Sequence, residues 1–308
     1  MPAYNAAPYI AEAIESVLLQ SFTDFELLIV DDGSTDETAS IIRSFHDKRI
    51  VLLQQENKGV SASLNYGLEN ASADIIARFD ADDICYPGRL EKQFHFISSN
   101  PGYIMVGSSA EYMDATGNYV FTHHPKGKTN LEIKNLPYHV CPFIHASVMY
   151  RKNAVWPGGY NLFAHSFEDH FLWHQLKEKG KMYNLPDALV RVRLNPGSLT
   201  MDESKRPAAF HAIKYRALKE GFISANDGEA LLSIIASQDN KRTKESAYYS
   251  LLAKKYLWNN YHPKKARQHV RKAITLNNLD MKGYMLWLVS FLPRSIINNL
   301  HAVFGTAK

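Results

Sequence analysis

The chain has 308 residues, is 45% hydrophobic and 12% aromatic, and carries a formal net charge of +4. This composition excludes a disordered chain, and the two cysteines, Cys85 and Cys141, exclude a disulfide framework and fit a reducing cytosol. Met1 to Asn5 lacks the basic start and apolar run of a signal peptide, and no run of about 18 uncharged apolar residues marks a transmembrane helix.

Taken in chain order, the first half alternates helix and strand signals. Ile10, Ile14, Val17 and Leu18 fall at helical spacing between Ala7 and Gln20, with Glu12 and Glu15 opposite. Phe25 to Val30 reads as a buried strand ending at Asp31-Asp32-Gly33-Ser34. Ser34 and Asp36 can then cap a helix reaching about Phe45. Arg49 to Gln54 is a second strand, Asn57-Lys58-Gly59 a turn, Ser61 to Asn70 a helix, and Ile75 to Phe79 a third strand. Such alternation predicts an α/β fold with a mostly parallel sheet and helices on both faces.

The middle is less regular. Strands are expected over Ile104 to Ser109, Tyr119 to Phe121 and His145 to Arg151, with a turn at Ala115 to Asn118 and a helix from about Glu168 to Lys179. From Arg206 onward the pattern is helix after helix. The expected division is therefore a domain over 1–205 and a basic helical C-terminal region over 206–308.

The net charge conceals an asymmetry. Residues 201–308 carry 18 Lys and Arg against 8 Asp and Glu, a balance of +10, whereas the first 200 residues balance at −6. A basic tail on an acidic body suggests an anionic surface as partner. The tail has no nucleic-acid motif, so nucleic acid is not expected. Its basic stretch Lys264 to Ala273 precedes the apolar run Met285 to Pro293, and that tandem suits an in-plane contact with an anionic membrane. The bland alternative is packing of the apolar run against the rest of the protein or another subunit.

The densest chemistry follows the third strand, where Phe79-Asp80-Ala81-Asp82-Asp83 sets three carboxylates within four residues. Like charges this close are costly unless a cation or donors neutralise them. At the carboxyl end of a strand, where open α/β sheets bind ligands, the cluster points to a hard divalent cation and a phosphorylated substrate. Asp31 and Asp32 also follow a strand, but Asp-Gly-Ser is good turn chemistry as well.

These patches, together with Pro2-Ala3-Tyr4-Asn5, Asn57-Lys58-Gly59 with Asn65, His145 to Met149, Gly158-Gly159-Tyr160 and Glu168-Asp169, resemble in order and spacing the family 2 inverting glycosyltransferases of the GT-A, Rossmann-like fold. The resemblance covers about residues 1–200. It implies transfer of a sugar, with inversion, from a nucleotide-diphosphate donor of the UDP-sugar class to a glycan or lipid-linked acceptor, as in bacterial polysaccharide biosynthesis. The enzyme class it implies is hexosyl- or N-acetylhexosaminyltransferase. The cysteine usage and the basic C-terminal segments, read by themselves, suggest a cytoplasmic protein peripheral on the inner face of the cell membrane. By the same resemblance Asp32 accepts the imide N–H of uracil, Pro2, Ala3 and Tyr4 line the base, and Asn57 and Gly59 lie beside the nucleotide. Asp80 reaches the ribose side, Asp82 holds Mn²⁺ or Mg²⁺ with Asp83 as a further ligand or a turn cap, and Asp169, with Glu168 beside it, supplies the base. Both carboxylates would also be favoured at a helix start without any catalysis.

Other readings stay open. A zinc site at His170 and His174 lacks the Glu that the metalloprotease pattern sets directly after the first His. A sugar-phosphate nucleotidyltransferase would need a Gly-rich basic loop near the amino terminus, and residues 1–20 contain no Gly, Lys or Arg. A non-catalytic nucleotide-sugar-binding or scaffold protein is the alternative from another class. Two departures from the family are visible. The sequence starts at Met1-Pro2 where relatives have a buried strand, so a fragment or mis-assigned start is expected, with a cavity or unpaired ladder as the physical consequence. In Val192-Arg193-Leu194-Asn195, Asn195 stands where relatives often have His.

Overall fold

In the computed structural model, residues 1–198, 206–238 and 240–297 are described. Strands β1 (Pro2–Ala3), β2 (Leu27–Asp31) and β3 (Ile50–Gln54) form a parallel three-stranded sheet in the order β1-β2-β3. Helices α1 (Ile10–Leu18) and α2 (Thr38–Ser44) are its crossovers, and α3 (Val60–Asn70) leads to β4 (Ile75–Ala77). Next come β5 (Ile84–Cys85), α4 (Arg89–Ser99), β6 (Tyr103–Met113), β7 (Tyr119–His123) and α5 (Asn130–Lys134). A 3₁₀ turn (His145–Ser147), β8 (Met149–Arg151), α6 (Lys152–Val155), α7 (Glu168–Leu176) and β9 (Lys181–Arg193) follow. The remaining elements are helical: α8 (Ala208–Glu220), α9 (Ala225–Ser237), α10 (Lys241–Trp258), α11 (Pro263–Leu276) and α12 (Met281–Val289).

Parallel pairing, expected for most of the sheet, holds for β1 to β3. The second sheet has the order β4-β8-β6-β9-β5, with β7 paired to β6, and its pairs β4–β8, β8–β6 and β5–β9 are antiparallel. The strand expected over His145 to Arg151 is only its last part. Ser147 Oγ donates to the Ile144 and Ser108 carbonyls at 2.9 and 3.1 Å, which holds the 3₁₀ turn closed.

Helices on both faces follow from strand alternation. Successive side chains of a strand point to opposite faces. In the register Met105 opposite Tyr150 and Val106 opposite Met149, the first pair packs with Leu64, Leu68, Trp173 and Leu176 of α3 and α7. The second pair packs with Leu90 and Ile97 of α4. Each buried large side chain of this kind contributes about 1.5–3 kcal/mol.

Contacts divide the described chain into two compact units: residues 1–111, 122–192 and 208–232, and residues 112–121, 193–207 and 233 onward. Helix α8 and the first part of α9 belong to the first unit, although the composition changes at residue 206. Residues 298–308 of the expected helical region lie outside the described residues. The core of the second unit joins Tyr248, Leu252 and Tyr256 of α10 to Ala266 of α11, and Leu286 and Val289 of α12 pack against it.

Between β2 and β4 the first unit holds a cavity of about 500 Å³. Its walls are mostly apolar and include Leu28, Val30, Leu64, Ile75 and Phe94. Met1 sits at its edge, with its amino group donating to the Leu28 carbonyl at 2.8 Å and its own carbonyl accepting from Val30 N. Among the described residues, no strand pairing joins the two sheets across this space.

Candidate active site

Because β1, β2 and β3 are parallel, the loops after them emerge on one side, and hydrogen bonds join them. Asn5, at φ +47°, accepts from Thr35 N at 2.8 Å and donates its own N–H to Ser34 Oγ at 3.0 Å. Ala6 N donates to Thr38 Oγ1 at 2.8 Å and Ala7 N to Asp36 Oδ2 at 3.1 Å, so Asp36 ties the two loops. Burial is the largest single influence on the Asp36 carboxyl and raises its pKa, but the hydrogen bonds from Thr38 and from Ala7 N together outweigh it and hold the carboxyl below its usual range. Gly33 adopts φ +72°, and a Cβ there would lie 2.8 Å from Asn57 N, so the second and third loops touch at backbone distance.

Asp32 is buried and organises the third loop. Its carboxylate accepts from Gln55 Nε2 at 2.6 Å, Lys58 N at 2.9 Å and Gly59 N at 2.8 Å. Asp31, also buried, accepts from Ser34 N and Gln54 Nε2, both at 3.1 Å. Of the other residues expected around a base, Ala3 is buried, whereas Tyr4, Asn57 and Gly59 are exposed and Pro2 is half-buried.

The acidic cluster after β4 is built around a buried cation. Arg78 is ion-paired to Asp80, and its charge is also felt by Tyr160, Glu168 and His145. Asp80 and Asp82 are half-exposed, but Asp83 is buried, and its charge acts on both Arg78 and Arg89. Of the two expected metal ligands, then, Asp82 reaches the surface and Asp83 does not. Arg89 is fully buried. It fixes this loop through backbone contacts, donating to the Arg78 carbonyl at 2.8 Å, with its guanidinium 5.3 Å from the Phe79 ring centre.

Glu168 and Asp169 open α7, whose face carrying Leu172, Trp173 and Leu176 is buried in the core. Asp169 is half-exposed and accepts from His170 N at 2.6 Å. Glu168 is buried, and burial first, then the Asp169 charge, raises its pKa to about 7. The Asp80 charge contributes to this rise and the Arg78 charge opposes it, so the two acidic motifs share one electrostatic neighbourhood. The buried amino group of Met1, at the start of β1, has its pKa lowered to about 5, chiefly by burial and then by Arg78, with Asp80 opposing. That coupling sets the first loop beside the acidic cluster.

The loop before α7 is held by Asn65, which accepts from Tyr160 N at 2.7 Å and donates to the Tyr160 carbonyl at 2.8 Å. Gly159 at φ +66° passes so close that a Cβ would fall 2.4 Å from Asn65 Oδ1. Tyr160 Oη is 3.1 Å from His145 Nε2, and burial lowers the His145 pKa so far that the ring is neutral at ordinary pH. His170 is buried and its pKa is lowered to about 3, by burial foremost and then by Lys214. Arg193 lies in the second unit, where it is buried with Nη1 3.4 Å from the Ala115 carbonyl.

Two residues with no role assigned from the sequence carry much of this site: Arg78 and Gln55. The signal for Arg78 was a cation inside an apolar strand end, next to three carboxylates. Among the described residues, no three His, Cys, Asp or Glu side chains converge as a metal site. Half-exposed Asp82 is a hard oxygen donor of the type Mg²⁺ and Mn²⁺ prefer, and such ions are commonly completed by water and substrate phosphate rather than by protein alone. Arg78 Nε and Glu168 Oε2 are buried without a hydrogen-bond partner, and buried polar atoms of this kind ordinarily have one.

Residues 1–159, just over half of the chain, match the family described as Glycosyl transferase family 2. The chain belongs to this family. Among its relatives, the putative glycosyltransferase EpsE of Bacillus subtilis is 36% identical over 201 residues, covering 63% of this chain and 71% of EpsE. The amylovoran biosynthesis glycosyltransferase AmsE of Erwinia amylovora is 30% identical over 220 residues, covering 69% and 82%. An uncharacterized glycosyltransferase of Rickettsia felis is 30% identical over 265 residues, 85% of this chain, but this chain spans only 43% of that protein. Among solved structures, S. aureus TarS 1-349 in complex with UDP-GlcNAc has a TM-score of 0.53 at 16% identity, covering 98% of this chain and 90% of that one. The mannosyltransferase PcManGT from Pyrobaculum calidifontis, in complex with GDP-Man and Mn²⁺, has a TM-score of 0.54 at 16% identity, covering 99% and 86%. These two establish the GT-A-like fold of this family 2 member.

Proposed function

We propose that the chain transfers a sugar, with inversion, from a UDP-linked donor to a hydroxyl of a glycan or lipid-linked acceptor at the inner face of a membrane. The observation that carries this reading is the split between Asp169, half-exposed, and Glu168, buried with its pKa raised to about 7, at the start of α7 and within electrostatic reach of Asp80. A base must meet its substrate, so the accessible carboxylate is the one suited to take the acceptor proton. Glu168 holds a proton near neutrality, which limits the repulsion that a second full charge would impose on Asp169.

Asp32 keeps the 57–59 loop in place. Its three donors leave about one acceptor position on the carboxylate, and the imide N–H of uracil would use it. Pro2, Ala3 and Tyr4 border the base, and Asp80 contacts the ribose side. Asp82 would hold Mn²⁺ or Mg²⁺, which supplies charge neutralisation on the departing diphosphate. Asp83 serves as a counter-charge to the buried Arg78 and Arg89. The donors named for TarS and PcManGT, UDP-GlcNAc and GDP-Man, support a nucleotide-diphosphate sugar of the hexosyl or N-acetylhexosaminyl class. The name of AmsE supports a place in polysaccharide biosynthesis.

The test is release of nucleoside diphosphate by the purified chain with Mn²⁺ across a panel of nucleotide sugars and acceptors. Asp82→Ala is expected to lose the Mn²⁺ dependence. Calorimetric binding of UDP without transfer to any acceptor would replace this reading with a non-catalytic binding protein.

A further inference from the structure

We infer that one face of α12 docks in the plane of an anionic lipid bilayer, with the cations of α11 and α12 as its electrostatic partners. The inference rests on the membrane-facing site of action proposed above and identifies the element that makes the contact.

Helix α12 has two apolar faces. Gly283 is buried, and Leu286 and Val289 pack on the core of the second unit. Met281, Met285 and Leu288, at spacings of four and three, face outward and are 76, 65 and 62% exposed. Leu279 before the helix and Phe291 after it extend the stripe at 82 and 57% exposure, and Tyr284 lies within it. Single exposed apolar residues are ordinary, but a contiguous stripe of this kind marks an interaction surface. No described helix is long and apolar enough to cross a membrane, so the stripe can lie on a bilayer but α12 cannot span one.

Charge selects the occupant. From Ser246 to Ile297 the chain carries nine Lys and Arg against one acidic residue, Asp280. Asp280 is engaged by Ser250 Oγ at 3.2 Å. Lys264, Lys265, Arg271 and Lys272 of α11 are exposed, as are Lys282 and Arg294 beside the stripe. The two helices are latched together: Arg267 Nη1 donates to the Ser290 carbonyl at 2.7 Å, and its guanidinium lies 4.6 Å from the Phe291 ring centre. A second copy of this chain would bring the same excess of positive charge to the interface and be repelled. An anionic headgroup layer over an apolar interior matches both features, each nearby Lys or Arg adding favourable attraction.

The full chain is expected to co-sediment with vesicles of equal phosphatidylcholine and phosphatidylglycerol and not with phosphatidylcholine alone. Met285→Glu combined with Leu288→Glu should weaken that binding by at least about tenfold, with circular dichroism and donor turnover on a soluble acceptor unchanged. Tryptophan fluorescence should be quenched by the same vesicles carrying acyl-chain bromine, and Trp287→Phe should remove most of that quenching. Undiminished binding by the double variant, absence of quenching, or a self-associated chain that the double variant dissociates would overturn the inference. If the double variant does not fold, the quenching result alone decides. A chain that binds vesicles but turns over no donor would sink the sugar-transfer reading and keep the docking surface, and the converse result would do the reverse.

Discussion

Glu168 and Asp169 are neighbours in sequence with opposite environments, and their substitutions should therefore read differently. Asp169→Asn is expected to lower turnover by about 10²–10⁴ fold while leaving nucleotide affinity within a small factor, measured by diphosphate release and calorimetry. Glu168 should report through stability and pH. Its carboxyl releases a proton near 4.5 when unfolded and near 7 when folded. Between those values the folded state binds more protons, so stability falls as pH rises through that window and levels off above it. Glu168→Gln removes the cost of a buried charge. It should be more stable than the parent at pH 8 by on the order of 2 kcal/mol, with the difference vanishing toward pH 4. Thermal melts across that range check the sign; a constant difference would show that the carboxyl does not titrate there.

At the scale of elements, two glycines make opposite predictions. Gly159→Ala would set a methyl 2.4 Å from Asn65 Oδ1 at φ +66°, costing about 1–2 kcal/mol in backbone strain before the Asn65 clamp is disturbed. A lowered melting temperature, matched by Asn65→Ala, is expected. Gly67 lies inside α3 on the wall of the cavity, where an added Cβ would meet Val30 Cγ2 at 3.5 Å, an ordinary contact. Gly67→Ala should therefore gain about 1 kcal/mol from helix propensity and raise the melting temperature. The elements that local pattern missed have physical excuses. Arg89 and Gln93 are buried on α4, so its inward face does not read as apolar. Strand β9 contains Pro186 and Asp187, which argue against a strand, and only its place between β6 and β5 makes it one.

For the whole molecule, Asp32, Asp80, Asp82 and Asp169 all belong to the first compact unit, and the Leu252 core belongs to the second. Leu252→Ala should cost about 2–5 kcal/mol in the second unit. UDP affinity at low temperature should nevertheless stay close to that of the parent; a large loss would mean that nucleotide binding depends on the second unit. The same separation matches the charge asymmetry, with the acidic site in one unit and the cation-rich helices α10 to α12 in the other.

The sequence alone determined the chemistry on offer. Apolar runs ending in Asp31-Asp32-Gly33 and Asp80-Ala81-Asp82-Asp83, and Glu168-Asp169 at a helix start, are local patterns, because strand ends and helix starts are set by near neighbours. What each carboxylate became was decided only by the tertiary structure. Adjacent residues on a strand end or a first helical turn point different ways. Whether a side chain meets solvent or a buried guanidinium depends on chain far away in sequence. Hence Asp82 is half-exposed and Asp83 buried against Arg78 and Arg89, and Asp169 is open while Glu168 is enclosed. Burial, which sets the cost of a charge, is a property no dipeptide carries by itself.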